Sequence, residues 1–289
     1  MMALMLFFAR PLAAAMPLTE TICTIPEGEF ELLAGAYLVR TGELYRGERL
    51  AIGFGVLDDL SVWFTTGYIH RETGGDDSGM GDSFLKIWYY LGDAAANRLH
   101  AGLAAIARIP TGPSAYDSSR WHNISLGVNE LSLGTALQYE MGRFFFHGSA
   151  FYVFRQGQGE DFYGGFSGNV TEKDTWIAAF GLNPWREETF LEGGRLANDY
   201  VSASLAVNTV ILDRLVPFAE VYASHRVHRR ETDNDRLPLE GAGVNPVLAG
   251  AGCRYFAGGG YLELFALASL VRKSGYIREI AGVSAGLMF

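Results

Sequence analysis

The sequence is poor in charge, in cysteine, in proline and in long apolar runs, and each shortage removes a class of protein. Only 19% of the residues are charged, and 23 Lys and Arg stand against 32 Asp and Glu, for a net charge of −9. Such a chain lacks the cationic attraction on which nucleic-acid binding depends. Two cysteines, Cys23 and Cys253, are too few for a disulfide framework or a four-thiolate zinc site. Nine prolines and 49% hydrophobic residues exclude a disordered or collagen-like chain. A membrane helix takes about 20 mostly apolar residues, whereas the longest apolar run, Met1 to Ala9, stops at Arg10-Pro11. What the chain has in excess is glycine, 36 in 289 residues, and aromatic side chains, 13%.

Residues 1–15 read as the apolar and cleavage parts of a secretory signal, with Ala13-Ala14-Ala15 as an A-x-A site, although no Lys or Arg precedes the apolar stretch. Residues 16–28 follow as a short periplasmic segment, and from Glu29 onward the pattern has period two. Between Asp199 and Ile211, Val201, Ala203, Leu205 and Val207 share one face, and Ser202, Ser204, Ala206 and Asn208 share the other. A strand keeps these sets apart because successive side chains point to opposite faces; a helix would mix them.

The second face is mixed rather than solvated. Across Leu99–Ile109 it holds His100, Gly102, Ala104, Ile106 and Arg108; across Leu131–Tyr139, extended to Glu130 and Glu140, it holds glycine, serine and a few full charges. A soluble sandwich would fill its outer face with charge. A closed barrel in a bilayer accounts for both faces, one against lipid and one lining a lumen. The fold expected is therefore all-β, a transmembrane antiparallel β-barrel over residues 29–289. Its end carries a terminal aromatic on an amphipathic strand, Ala281, Val283, Ala285, Leu287 and Phe289, which resembles the assembly signal of bacterial outer-membrane barrels.

Twelve segments qualify as strands, from Glu29–Thr41 through Leu99–Pro110, Ser125–Glu140 and Asp199–Ile211 to Tyr276–Phe289. An even number suits a barrel with both termini in the periplasm. Short connections such as Leu57-Asp58-Asp59, Met141–Arg143 and Ala257–Gly259 alternate with long ones. Residues 156–198 read as a large extracellular loop. Trp176–Leu182 inside it has a strand-like pattern, so fourteen strands result if a hairpin there crosses the membrane.

Three stretches carry a family likeness: Gly55-Val56-Leu57-Asp58-Asp59-Leu60-Ser61-Val62, Arg108-Ile109-Pro110-Thr111-Gly112, and Leu212-Asp213-Arg214-Leu215 with Phe218-Ala219-Glu220-Val221. In these the chain resembles the outer-membrane proteins grouped with the phenol-degradation meta-pathway, relatives of the FadL-like hydrophobic-substrate channels. The likeness implies a bacterial outer-membrane location and passage of hydrophobic or aromatic solutes. The chain departs from FadL in having only Met16 to Gly28 where a long N-terminal plug would stand.

Function would reside in the lumen. By parity the inward charges are Arg49, Lys86, Arg108, Glu130, Glu140, Glu220, Arg254, Glu263 and Arg278, and the inward aromatics are Trp63, Phe84, Trp88, Tyr222, Tyr261 and Phe265. The charges either line a water-filled path or pair across the barrel and close it. The aromatics either line a greasy passage or simply fill the interior. Cys253 shares parity with Ala251 and Tyr255 and is expected to face lipid as a free thiol.

No catalytic constellation accompanies them. In extended chain His122 and Ser125 stand roughly 10 Å apart on opposite faces, and Asp76-Asp77 and Asp233-Asn234-Asp235 lack the ligand spacing of a calcium loop. We expect neither an enzyme, a metal nor a cofactor. The partners expected are outer-membrane lipid and lipopolysaccharide, the barrel-assembly machinery and a small-molecule solute, with no nucleic acid. The function expected is passive diffusion of small hydrophobic or aromatic solutes; the alternative is a closed structural or host-facing barrel acting through its extracellular loops.

Overall fold

A computed structural model describes residues 24–40, 44–71, 78–94, 98–109, 111, 129–156, 200–226, 247–270 and 279–289. Residues 1–15, nearly all of 156–198, Arg278, His122, Ser125, Asp76-Asp77 and 233–235 lie outside them.

The described residues form strands and turns and no helix. In chain order the strands are β1 (Phe30–Arg40), β2 (Leu44–Leu57), β3 (Leu60–Arg71), β4 (Ser78–Met80), β5 (Ser83–Ala94), β6 (Leu99–Ile109) and β7 (Asn129–Met141). They continue with β8 (Phe144–Gln156), β9 (Tyr200–Thr209), β10 (Leu215–Arg226), β11 (Val247–Ala257), β12 (Gly260–Ser269) and β13 (Glu279–Met288). Each long strand pairs antiparallel with the long strands before and after it, β4 pairs with β3, and β1 pairs with β13 from Glu31↔Met288 to Arg40↔Glu279. The ring is thereby closed. β4 and β5 are two parts of one stave, since both pair with β3 and their registers differ by a single residue. The barrel therefore has twelve staves. β8 is hydrogen-bonded directly to β9, so the two are neighbours in the wall.

The alternation in the sequence becomes an inside and an outside. In β9 Ser202, Ser204 and Asn208 are buried while Val201 and Leu205 are exposed, Leu205 at 64%. Leu50, Ile52, Leu103, Leu133 and Leu264 are likewise exposed on the outer wall. Such a wall is at rest only against hydrocarbon, because each Å² of apolar surface left in water costs roughly 25 cal/mol. Closure matters for the same reason, since an open edge would leave N–H and C=O groups unpaired in lipid.

Tight turns gather at one end, the turn end. Gly142 (φ 65°) and Gly258 (φ 60°) occupy two-residue hairpin loops whose twist calls for positive φ. Phe30 and Phe289 exchange backbone hydrogen bonds of 3.1 and 2.9 Å at this end. Here residues 24–28 tuck against the inner face of β2 and β3: Ile25 is buried, its N–H donates to Ser61 Oγ at 3.1 Å, and Gly28 N–H donates to Gly55 O at 2.9 Å. Gly53 and Gly55 admit this segment, since a Cβ at either would overlap it.

One face assignment needs correction. Alternation puts Ser83 with Leu85 and Ile87 on the outer wall, but Ser83 is buried, its hydroxyl 2.8 Å from Thr111 Oγ1 and 3.3 Å from Thr66 Oγ1. The one-residue register shift between β4 and β5 is a bulge, and it interrupts the alternation at Gly81–Phe84, all four of which are buried.

Candidate functional site

The inner wall is built of charge, glycine and rings. Toward the loop end three staves contribute one charge each: Arg108 of β6 lies between Asp82, just before β5, and Glu130 of β7. Its Nε donates to Asp82 Oδ2 at 2.7 Å and its Nη1 to Glu130 Oε2 at 3.1 Å, with all three side chains essentially inaccessible. Charges at this depth require such pairing, because the lone ion bears the full desolvation cost. The guanidinium also stands 5.7 Å from the Phe84 ring centroid.

A second group forms on β11–β13 and β1. Arg254 hydrogen-bonds Glu263, whose other oxygen accepts from Ser284 Oγ at 3.3 Å; the Arg254 guanidinium lies 4.8 Å from the Tyr261 ring. Tyr261 in turn donates to Glu31 at 3.5 Å. Lys86 lies 5.7 Å from the Trp63 ring. At the turn end Glu140 accepts from His100 Nε2 at 3.1 Å, while His100 Nδ1 is 2.6 Å from Asp93 and 3.1 Å from Tyr90 OH. Glu220 is buried on β10 and Arg49 is half-buried on β2.

The glycines explain where the rings go. Phe265 of β12 and Tyr37 of β1 both close over Gly282 of β13, each 2.6 Å from where its Cβ would be. Tyr261 covers Gly286, Phe218 covers Gly252 and Phe151 covers Gly134, each pair directly opposite in register. Trp63 covers Gly53 in the same way, and Trp88 covers Gly102 diagonally. A ring seated on a glycine occupies space that a side chain would take, so its bulk is absorbed into the wall instead of projecting across the lumen. Two apolar clusters result. Phe84, Trp88, Ile106, Phe151 and Val153 form one on β5–β8, and Leu33, Ala51 and Tyr261 form the other with Trp63 and Phe256 against them.

The structure thus brings together Arg108 with Glu130, Arg254 with Glu263 and Tyr261, Lys86 with Trp63, and Phe84 with Trp88. Tyr222 is buried on β10. Glu31, Asp82, Tyr37, Phe151 and His147 share the interior but do not stand among the candidates read from the sequence; their parity is the signal that finds them. Cys253 is a free thiol and lies in register with Pro217 and the exposed Leu264.

No family model matches the chain, and no curated protein matches its sequence. Solved structures do. An outer-membrane channel from Pseudomonas putida F1 superposes with a TM-score of 0.62 at 11% identity, over 92% of this chain and 97% of that one. A NanC porin superposes with a TM-score of 0.51 at 8% identity, over 90% and 98%. At these identities the likeness is one of fold, and the closed twelve-stave barrel described here is the fold of outer-membrane channels.

Proposed function

We propose that this protein is an outer-membrane channel through which small hydrophobic or aromatic solutes diffuse passively, in the manner of the FadL-like group it resembles. The observation that supports this reading is the lining: rings seated on inner glycines make apolar stretches of wall between paired charges. A solute with an aromatic body meets complementary surface there, and the outer-membrane channels of the same fold make the reading coherent. In this reading residues 1–15 are removed on export, and Ala281, Val283, Ala285, Leu287 and Phe289 direct assembly by the barrel-assembly machinery. Both termini and the tight turns face the periplasm, and the outer wall meets lipid and lipopolysaccharide. No part of the reading requires a reaction.

A second reading, a closed barrel acting through its extracellular loops, is favoured by one observation. Arg108, Glu130, Glu220, Arg254 and Glu263 are all at most 4% exposed, as in an interior sealed by ion pairs. Planar-bilayer recording of the purified protein separates the two. The channel reading expects discrete conductance steps; a silent bilayer with correctly folded protein would leave the closed barrel.

A further inference from the structure

The outer wall carries a groove of its own. It lies across β13, β1, β2, β3 and β4 and has a volume of about 620 Å³. Ala34 and Ala36 of β1 form its floor, and Leu50, Tyr68, Met80 and Val283 rise around them. Leu50, Met80 and Val283 are exposed on the outer wall, so the hollow opens to the membrane side and not to the lumen. The floor is low because β1 presents methyl groups where its neighbours present larger side chains. Leu50 stands opposite Ala34, and Val283 opposite Ala36.

What rims the groove defines the partner. Glu48 stands opposite Ala36 and lines the groove, and Arg46, the next outward residue of β2, donates to Glu48 Oε1 at 3.0 Å. His70 stands opposite Arg46, its ring 4.8 Å from that of Tyr68. Nearer the loop end, Arg40 and Glu279 lie 3.7 Å apart across the seam between β1 and β13. Toward the turn end the outward residues of β2 are apolar: Leu50, Ile52 and Phe54. An Arg facing hydrocarbon costs about 2–4 kcal/mol at the bilayer midplane and little near the interface. The boundary between hydrocarbon and head groups therefore passes between Glu48 and Leu50, and the groove straddles it.

That position calls for a ligand with a polar head and an apolar tail. A methylene takes about the room of a water, roughly 30 Å³, so the groove accommodates one acyl chain. A second barrel fits less well, because a two-fold axis along the membrane normal preserves depth and sets Arg46 against its own counterpart. Both ion pairs are exposed, and such pairs hold by no more than about 1 kcal/mol. A guanidinium is thus free to turn to a phosphate, which it matches with two parallel hydrogen bonds. The carboxylate it leaves then accepts from a hydroxyl. A phosphorylated sugar supplies both groups.

We infer that the groove is a seat for a phosphorylated glycolipid of the outer leaflet, the lipid A part of lipopolysaccharide. One acyl chain lies over Ala34 and Ala36, and a phosphate lies on Arg46. The seat rests on the outer-membrane reading, which puts the loop end outside, and not on conduction.

The probes are lipid A and phosphatidylethanolamine, titrated onto the delipidated full chain in detergent and counted by native mass spectrometry. A single lipid A is expected to be retained, about tenfold more tightly than phosphatidylethanolamine. Ala36→Leu fills the floor and Arg46→Ala removes the partner of the phosphate, and each should weaken lipid A about tenfold. Ala105→Leu, on the outer wall of β6, should leave it within about twofold. All three positions face outward, and heat-dependent migration checks that each variant folds. The comparison of the two lipids on the wild type decides by itself if a variant does not. Equal retention of the two lipids, or a preference for phosphatidylethanolamine, overturns the seat. Retention that survives in both folded variants, or that Ala105→Leu weakens as much, overturns it too. A dimer that Ala36→Leu dissociates would give the groove to a second copy instead. Fractionation of the chain with another membrane removes the outer-membrane reading itself, and the seat with it.

Discussion

Gly282 shows how a single hydrogen in place of a side chain shapes the lumen wall. Phe265 and Tyr37 approach it from neighbouring strands, and their rings stand 5.7 Å apart over it. A methyl group there has nowhere to go unless one ring lifts off the wall. Gly282→Ala should therefore destabilise the barrel by about 1–3 kcal/mol, the usual cost of overpacking. Gly259→Ala, at an exposed turn where an added Cβ would meet only Met288 O at an ordinary 3.4 Å, should stay within about 0.5 kcal/mol. Denaturant unfolding in detergent measures both, and equal losses would refute the ring-on-glycine packing. Why the chain contains so many glycines was not legible from composition. The inward direction of Trp63, Trp88 and Tyr261 follows from parity, but the glycine that each covers depends on which residue of the next strand stands opposite.

At the scale of the strand, one residue decides everything about facing. β9 runs Ser202, Ser204, Ala206 and Asn208 inward and Val201, Ala203 and Leu205 outward. Deleting Ser204 alone reverses the facing on one side of the gap, because the side-chain period is two. It should abolish the folded, heat-modifiable species. Deleting Ser204 and Leu205 together restores the parity and should keep it, at the cost of a shorter stave. Retention of the folded band in the single deletion would mean that parity does not govern β9. Parity is legible wherever the ladder is regular, which is why the boundaries of β1, β6 and β9 could be read closely from the sequence. It fails at Ser83, where the bulge after β4 inserts a residue. A bulge leaves no mark in the hydrophobic pattern beyond the glycines of Gly79-Met80-Gly81, which equally announce a turn.

Over the whole molecule the seam between β1 and β13 joins the two ends of the chain. Ala34 and Ala285 are partners across it, both exposed on the outer wall. In a background of Cys23→Ser and Cys253→Ser, the pair Ala34→Cys and Ala285→Cys should oxidise within one molecule. The product should migrate anomalously on a denaturing gel until reduced. Failure to cross-link in folded protein, with cross-linking across β12–β13 as the positive control, would mean an open sheet. Closure also sets the stave count, and twelve agrees with the even number that alternating short and long connections imply.

The sequence alone determined which face of nearly every ribbon is greasy, because facing is a local property that each strand states for itself; between twelve ribbons and fourteen, the closed ring decided. It also placed Arg108, Glu130, Arg254 and Glu263 on the inner side, since residues beside them along the chain, Ile109, Leu131, Tyr255 and Leu264, face outward. Only the tertiary structure decided that Arg108 meets Asp82 and Glu130, that Tyr261 lies on Gly286, and that Ala36, Glu48 and Tyr68 fall in one row. Those encounters depend on register. Register is set by turns, bulges and the closing of the ring, and every strand must satisfy it at once; no strand's own pattern contains it.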